Sequence, residues 1–582
     1  MSIEKGEILK NRGFLPISKK EIDLLGWDYI DVILFTGDAY IDHPSFGTAV
    51  IGRYLQSLGY RVAIVPQPNW RDDLRDFKKL GAPRLFFGVS SGAMDSMINH
   101  YTAAKRLRSN DAYTPDGRAG QRPDYAVTVY SKILKDLYPT VPVIIGGVEA
   151  SLRRVAHYDY WQDSLKPSIL FESKADLLIY GMGERPIKEI ASILNEGGSI
   201  EELHAVPQTA WLSNSPYQGE ERAVKLISYE KVLKSREAFV RNFNLIEKES
   251  NAWFPAHISE PCMGKYVRVN PPFEIERDGA IDQFYDMPYK REPHYRYSGK
   301  HIAAFEMIKF SVTTHRGCFG SCSFCTISAH QGKFVQSRSE ASILKELSTI
   351  AANKSFKGVV SDLGGPTANM YQMKGKDIDL CKKCKRESCL YPSICKNLNN
   401  SHKPLLDLYK KASKIKNIKK NFVSSGIRYD LFLDKRGYLD NNGREYLKEL
   451  ILNHTSGRLK VAPEHTEESV LKAMGKPSFS SFTFLKKEFD KICNKENKKF
   501  QLIPYFISSH PGCTMEHMKA LASNITLKGV HLEQVQDFTP TPMTRSSAAF
   551  YSGIDPITFN KIFVERDLNK KKKQKSLFFN KF

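Results

Sequence analysis

Three cysteines fall within eight residues in the run His315-Arg316-Gly317-Cys318-Phe319-Gly320-Ser321-Cys322-Ser323-Phe324-Cys325. Thiolates this closely spaced can wrap one compact inorganic core, and cysteine thiolates are the usual ligands of iron–sulfur clusters. A cubane cluster has four irons, so three protein ligands leave one iron open to a further ligand. Gly317 and Gly320 relieve crowding where the backbone must curl around such a core. A zinc loop completed by His315 or His330 would draw on the same residues.

A second group, Cys381-x2-Cys384-x4-Cys389-x5-Cys395, lies among Lys382, Lys383, Lys385, Arg386 and Lys396. Four thiolates at these spacings can close a zinc site or hold a second iron–sulfur cluster, and spacing does not separate the two. A metal-free loop is the third reading. A second cluster would pass electrons or bind substrate, whereas zinc would stiffen a substrate-facing flap. His402 is a spare candidate ligand. Cys262, Cys493 and Cys513 have no partners in sequence and read as plain thiols. Seven of the ten cysteines fall between Cys318 and Cys395. In a reducing compartment such bunching indicates metal or cluster ligation rather than disulfides.

The elements that must position these groups form two series. In the first 207 residues, apolar runs at Val32 to Thr36, Val62 to Val65, Leu85 to Val89, Val141 to Ile145 and Leu177 to Ile179 alternate with helical patterns. Ser18 to Glu21 has capping-box spacing, and Phe46 to Leu58 reads as a helix stopped by Gly59. Apolar strands alternating with helices predict an α/β, doubly wound parallel sheet. Residues 208–300 mix proline, aromatic and charged residues and read as a linker with some helix, such as Tyr229 to Phe243. Across 301–556 a second βα series follows, with strands expected at Lys309 to Thr313, Gly358 to Asp362, Asn421 to Ser425, Arg458 to Ala462, Phe500 to Phe506 and Gly529 to Val535. Six such units predict a partial (β/α)6 barrel of the TIM type, whose working face is the strand C-terminal ends. The second cysteine group would be an insertion, 371–402, and residues 557–582 a short, basic, mobile tail.

The Cys-x3-Cys-x2-Cys spacing, with Phe324 before the last cysteine and a barrel strand before the loop, resembles the radical SAM superfamily. That resemblance implies a [4Fe-4S] cluster on Cys318, Cys322 and Cys325, with S-adenosylmethionine chelating the open iron. One electron would then break a carbon–sulfur bond and release a 5′-deoxyadenosyl radical. Asp362-Leu363-Gly364-Gly365-Pro366-Thr367 resembles the superfamily's glycine pair, whose backbone receives the amino group of S-adenosylmethionine. Ser424 and Arg428 in Ser424-Ser425-Gly426-Ile427-Arg428, and Glu464 in Val461-Ala462-Pro463-Glu464-His465, end later strands and would meet ribose or carboxylate. Val470 to Met474 and Gln534 to Pro542 resemble barrel segments of radical SAM methylthiotransferases.

Asp38 to Gly47, Val143 to Gly147 and Gly181 to Glu184 resemble the cobalamin-binding domains placed ahead of radical SAM barrels. Base-off cobalamin proteins show Asp-x-His-x-x-Gly, whereas here Asp42 and His43 are adjacent and Gly47 lies four residues on. Taken together, Phe14 to Trp70, the cysteine loop, Gly364 to Tyr371 and the second cysteine group resemble the YgiQ-type radical SAM proteins over nearly the whole chain. The substrate is not implied. A low-potential electron donor such as flavodoxin or ferredoxin is.

The formal net charge of +22 is compatible with nucleic acid or another anionic partner, and equally with a lysine-rich solvated surface. A metal-stabilised nucleic-acid-binding protein is therefore the alternative to an enzyme. No run of about 20 apolar residues offers a membrane span. The opening Met-Ser-Ile-Glu-Lys-Gly-Glu lacks the layout of a secretory signal. A cytoplasmic location is expected.

Overall fold

Continuous apolar runs that are buried on both faces are the signature of strands in a covered parallel sheet. Five of them pair in that way here: β1 Val32–Thr36, β2 Val62–Pro66, β3 Phe86–Ser90, β4 Val143–Ile145 and β5 Leu177–Ile179. Val32 faces Val62 on one side and Phe86 on the other, both in parallel register. This computed structural model describes residues 13–219, 222–433, 439–527 and 534–579. They divide into two units, the first comprising Met1–Lys234, Pro255–Glu274 and Gln283–Lys309, and the second the remainder.

In the first unit the sheet does not stop at β5. Four more strands extend it: β6 Thr209–Ser213, β7 Ala223–Lys225, β8 His257–Cys262 and β9 Lys265–Val269. The full order is β7-β8-β9-β6-β5-β4-β3-β1-β2. Part of the expected linker 208–300 thus supplies four strands of the sheet. The reason lies in its pattern: β9 reads Lys-Tyr-Val-Arg-Val and pairs antiparallel with β6 and β8, the mixed polarity that antiparallel strands tolerate. A search for wholly apolar runs passes over it. The helix expected from Tyr229 is two helices, Tyr229–Lys234 and Arg236–Ser250, broken at Ser235, whose hydroxyl accepts the Ala238 amide. The second of these belongs to the second unit.

The second unit carries the partial barrel. Its strands are β10 Ser311–Thr313, β11 Val359–Val360, β12 Asp362–Gly364, β13 Lys420–Asn421, β14 Arg458–Glu464, β15 Gln501–Ser508 and β16 Gln534–Asp537. β10 pairs with β12, β11 with β13, and β14 with β15 and then β16, all parallel. A parallel bridge from Ile427 to Val461 links the two halves of the series. The expected strand at Asn421 to Ser425 shrinks to Lys420–Asn421, because Ser424 and Ser425 turn their amides to the Asp362 carboxylate instead of a ladder. Of the strand expected at Gly529 to Val535, residues 529–533 lie outside the described residues. Helices Glu340–Ala351, Lys403–Ala412, Asn441–Asn453 and Phe479–Lys495 bury Leu347, Leu408, Leu450 and Phe482 against these strands in one apolar core.

The expected mobile tail is instead a helix, Leu568–Phe579, packed on the barrel. Lys571, Gln574 and Phe578 recur at helical spacing and are all buried. Phe578 lies against Phe506 of β15, Gln574 accepts from the Ser509 amide and hydroxyl, and Lys571 donates to the Phe538 carbonyl. Two of the three buried residues are polar, so hydropathy conceals the inward face.

Candidate metal centre

The cysteine loop leaves the barrel just after β10, through the short strand His315–Arg316, which pairs antiparallel with Gln336–Ser337. Gly317 follows with a φ of +82°, and a Cβ there would come within 2.4 Å of the Phe334 carbonyl oxygen. No L side chain fits that turn without moving backbone. The Cys318 amide donates to the Gly332 carbonyl, and the Gly317 amide to Gln331. Further on, Ser323 is pinned at three atoms. Its amide donates to the Met474 carbonyl, its carbonyl accepts the Ser546 amide, and its hydroxyl lies 2.7 Å from that of Ser546. His510 Nε2 shares this knot at 2.6 Å from the Ser546 hydroxyl, and Phe324 lies edge-on to the His510 ring.

Cys318, Cys322 and Cys325 lie close enough to act on one another electrostatically. Burial pushes the Cys318 thiol up and the Cys325 thiol up to about 12, so both are neutral in the metal-free chain. A ligand core must therefore displace their protons on binding. Two groups are placed to favour the thiolates: Arg428 Nη1 donates to Cys322 Sγ at 3.1 Å, and Thr367 Oγ1 stands 3.4 Å from Cys318 Sγ. The Arg428 guanidinium is fixed by Asp430 through Nε at 2.9 Å and Nη2 at 2.6 Å. Burial works against its charge, but Asp430 and the nearby thiols outweigh that and hold it protonated. The donor set, three thiols with N–H and O–H donors on their sulfurs, fits an iron–sulfur cluster. Among the described residues no three His, Cys, Asp or Glu groups gather tightly enough to clasp a single metal ion. His315, weighed as a fourth zinc ligand, is engaged elsewhere, with Nδ1 2.8 Å from the Thr314 hydroxyl and its ring beneath Gly365.

Gly364 and Gly365 close β12. A Cβ on Gly365 would lie 2.4 Å from the His315 ring, so glycine is required where the backbone passes it. Pro366 leads directly into Thr367 and so to Cys318. Asp362, at the start of the same strand, accepts from Ser424 and Ser425 amides at 2.8 and 3.2 Å and from the Ser425 hydroxyl. The Ser424 hydroxyl is bonded to the Ser361 carbonyl, which turns it away from the role expected of it. Glu464 ends β14 with a φ of +70°; its burial raises the carboxyl pKa against the pull of Lys476, 3.8 Å away, and Arg428. His402 is buried, stacked on Tyr446, and accepts from Asn369 Nδ2 at 3.1 Å, so it is a packing residue rather than a ligand.

The parts played by Thr367, Asp430, Asp362, Ser323 and His510 are not legible in sequence. Asp430 stands two residues after Arg428 and Asp362 two before Gly364, and that proximity is the only signal available. His510 lies 187 residues from Ser323, and nothing in the sequence joins them.

The second cysteine group lies on a loop closed by a small hairpin, Lys374–Gly375 with Leu398–Asn399. Cys381, Cys384, Cys389 and Cys395 act on one another electrostatically. The Arg386 amide donates to Cys384 Sγ at 3.4 Å and Asn397 Nδ2 to Cys381 Sγ at 3.3 Å. Burial pushes the Cys389 thiol up to about 11.

In the first unit, Asp42 and His43 follow β1 and are both wholly buried. Asp42 is bound by Arg53 Nε at 3.0 Å, and His43 Nδ1 accepts the Ser45 amide at 3.1 Å. Beyond β1 and β3, where doubly wound sheets receive ligands, Asp38 pairs with Arg122, which also binds Asp111. A Cβ on Gly92 would come within 2.2 Å of the Asp38 carboxylate. These interactions do not fit His43 as a cobalt ligand.

The family model described as Radical SAM N-terminal matches residues 14–311. A UPF0313 protein of Bacteroides thetaiotaomicron is 55% identical over 580 residues, covering 97% of this chain and 94% of its own. The UPF0313 protein YgiQ of Escherichia coli K12 is 42% identical over 599 residues, covering 94% and 80%. Among solved structures, the radical S-adenosylmethionine methyltransferase TsrM from Kitasatospora setae, with cobalamin and a [4Fe-4S] cluster bound, gives a TM-score of 0.48 at 14% identity over 88% of this chain and 74% of that one. The cobalamin-dependent S-adenosylmethionine radical enzyme OxsB gives 0.49 at 12% identity over 92% and 56%.

Proposed function

Because the chain belongs to the YgiQ-type, UPF0313 family of radical SAM enzymes, we propose that Cys318, Cys322 and Cys325 hold a [4Fe-4S] cluster that serves S-adenosylmethionine cleavage on a substrate still to be identified. When bound, such a cluster supplies the single electron that cleaves S-adenosylmethionine to a 5′-deoxyadenosyl radical. The observation that carries the reading is three mutually interacting thiols on one loop after the first barrel strand, with Arg428 bonded to the middle one, Cys322.

The chain's own residues do the positioning. Gly317 and the Ser323–His510–Ser546 knot fix both ends of the loop. Arg428, locked by Asp430, donates an N–H to Cys322 and spreads its negative charge, a lever on reduction potential. The Gly364–Gly365 backbone is the candidate receiver of the amino group, Pro366 stiffens the exit, and Phe324 supplies apolar cover. Glu464 is a buried carboxyl that can accept a hydroxyl of a nucleoside. The electron comes from an external low-potential carrier of the flavodoxin or ferredoxin class.

The anaerobically reconstituted protein, given dithionite and S-adenosylmethionine, is expected to release 5′-deoxyadenosine and to show an altered electron paramagnetic resonance signal when the nucleotide binds. Cys322→Ala should lose both. A protein carrying a full cluster on the loop that shows neither response would overturn the reading. The basic charge leaves nucleic acid as one class of substrate, and RNA binding titrated against salt distinguishes it from small-molecule substrates.

A further inference from the structure

The loop bearing the second cysteine group is bonded directly to the loop bearing the first. The Cys389 amide donates to the Phe319 carbonyl at 3.0 Å, one residue beyond Cys318. Ser388 Oγ donates to the Gly320 carbonyl at 2.8 Å and approaches that of Phe319 at 3.3 Å. In the reverse direction, the Ser321 hydroxyl donates to the Glu387 carbonyl at 2.7 Å. Lys333, buried, donates to the Arg386 carbonyl. Beneath these bonds the two groups share one apolar cluster: Cys318, Phe319, Met370, Met373, Leu390 and Leu398, with Cys389 and Cys395 packed against it. The two cysteine groups therefore border one apolar cluster and are tied by several hydrogen bonds.

We propose that Cys381, Cys384, Cys389 and Cys395 hold a second iron–sulfur cluster that passes its electron to the cluster on Cys318, Cys322 and Cys325. The inference rests on the reading of the first loop given above. The route between the groups is short in bonds. It runs from Cys389 Sγ through its own backbone amide, across one hydrogen bond to the Phe319 carbonyl, and along the chain to Cys318 Sγ. Partial burial of the four thiols with N–H···S bonds from Arg386 and Asn397 sets the potential of the second centre. The step balances as one electron: the second cluster is oxidised by one unit and the first reduced by one. A low-potential one-electron carrier then restores the second cluster.

Three proteins, reconstituted anaerobically with iron and sulfide, test this: wild type, Cys381→Ala/Cys384→Ala and Cys318→Ala/Cys322→Ala/Cys325→Ala. Wild type is expected to bind about eight irons and each variant about four, since each site takes one cubane. If the first-loop reading alone is wrong, wild type and the triple variant both hold about four irons, so the two failures are distinguishable. Mixed rapidly with dithionite and frozen, wild type should show two reduced signals with mutual spin coupling. Ser388→Ala keeps every ligand but removes the hydroxyl bonds to Phe319 and Gly320, so it also serves should the double cysteine variant misfold. It should weaken the coupling and slow reduction of the first cluster relative to wild type. Zinc at the second group, or two reduced signals without mutual spin coupling in wild type, overturns the proposal.

Discussion

Arg428 shows how one side chain carries two duties. Its guanidinium satisfies Asp430 on one edge and the Cys322 thiol on the other, and the arginine and its aspartate are both buried. Arg428→Met leaves Asp430 without its cation in a dry site, which should cost about 3–5 kcal/mol in chemical denaturation. Arg428→Met/Asp430→Leu should recover most of that stability yet still shift the cluster's midpoint potential, measured by redox titration. Gly365 makes a different test. A methyl there meets the His315 ring at 2.4 Å, so Gly365→Ala should retain its iron but weaken S-adenosylmethionine binding, read from the nucleotide's effect on the resonance signal.

At the scale of elements, the helix Leu568–Phe579 decides whether the last barrel strands are covered. Phe578 is buried against Phe506, and Phe578→Ala should destabilise the second unit by about 3–5 kcal/mol, the usual cost of a deleted core aromatic. Gln574→Leu keeps the volume but strips the Ser509 amide of its acceptor, for a loss of about 1–3 kcal/mol. A peripheral tail would show neither effect in thermal melts. The strands β6 and β9 teach the same lesson in reverse. Their mixed polarity suits antiparallel neighbours, and only the sheet they join makes them strands rather than linker.

For the molecule as a whole, buried histidines set the response to acid. In the second unit His315 and His510 are held down at about 4, and His402 and His465 at about 3, all chiefly by burial. These imidazoles stay neutral when folded but titrate near 6.5 when unfolded, so below that pH the unfolded state binds more protons. Stability from this source is present above pH 6.5 and is lost as the pH falls from there toward 4, by about 1.4 kcal/mol per pH unit for each group. His402→Gln should flatten the dependence of the second unit's unfolding by one such proton, measured by denaturant melts between about pH 7 and 4.5. An unchanged slope would contradict the burial assigned to His402. No described helix is long and apolar enough to cross a membrane.

Cysteine spacing, the glycines that follow strands and the alternation of apolar runs with helices are local properties. They were enough to anticipate the five parallel strands of the first unit and the βα series of the second, and to single out the two cysteine groups, from the chain alone. Contacts between distant residues are not local. The bond from Arg428 to Cys322, the Ser323–His510–Ser546 knot and the hydrogen bonds that fasten Cys389 to Phe319 span tens to hundreds of residues. Polar residues buried for the sake of those bonds, such as Gln574 and Lys571, look like surface in a sequence because their burial depends on partners that only folding brings within reach.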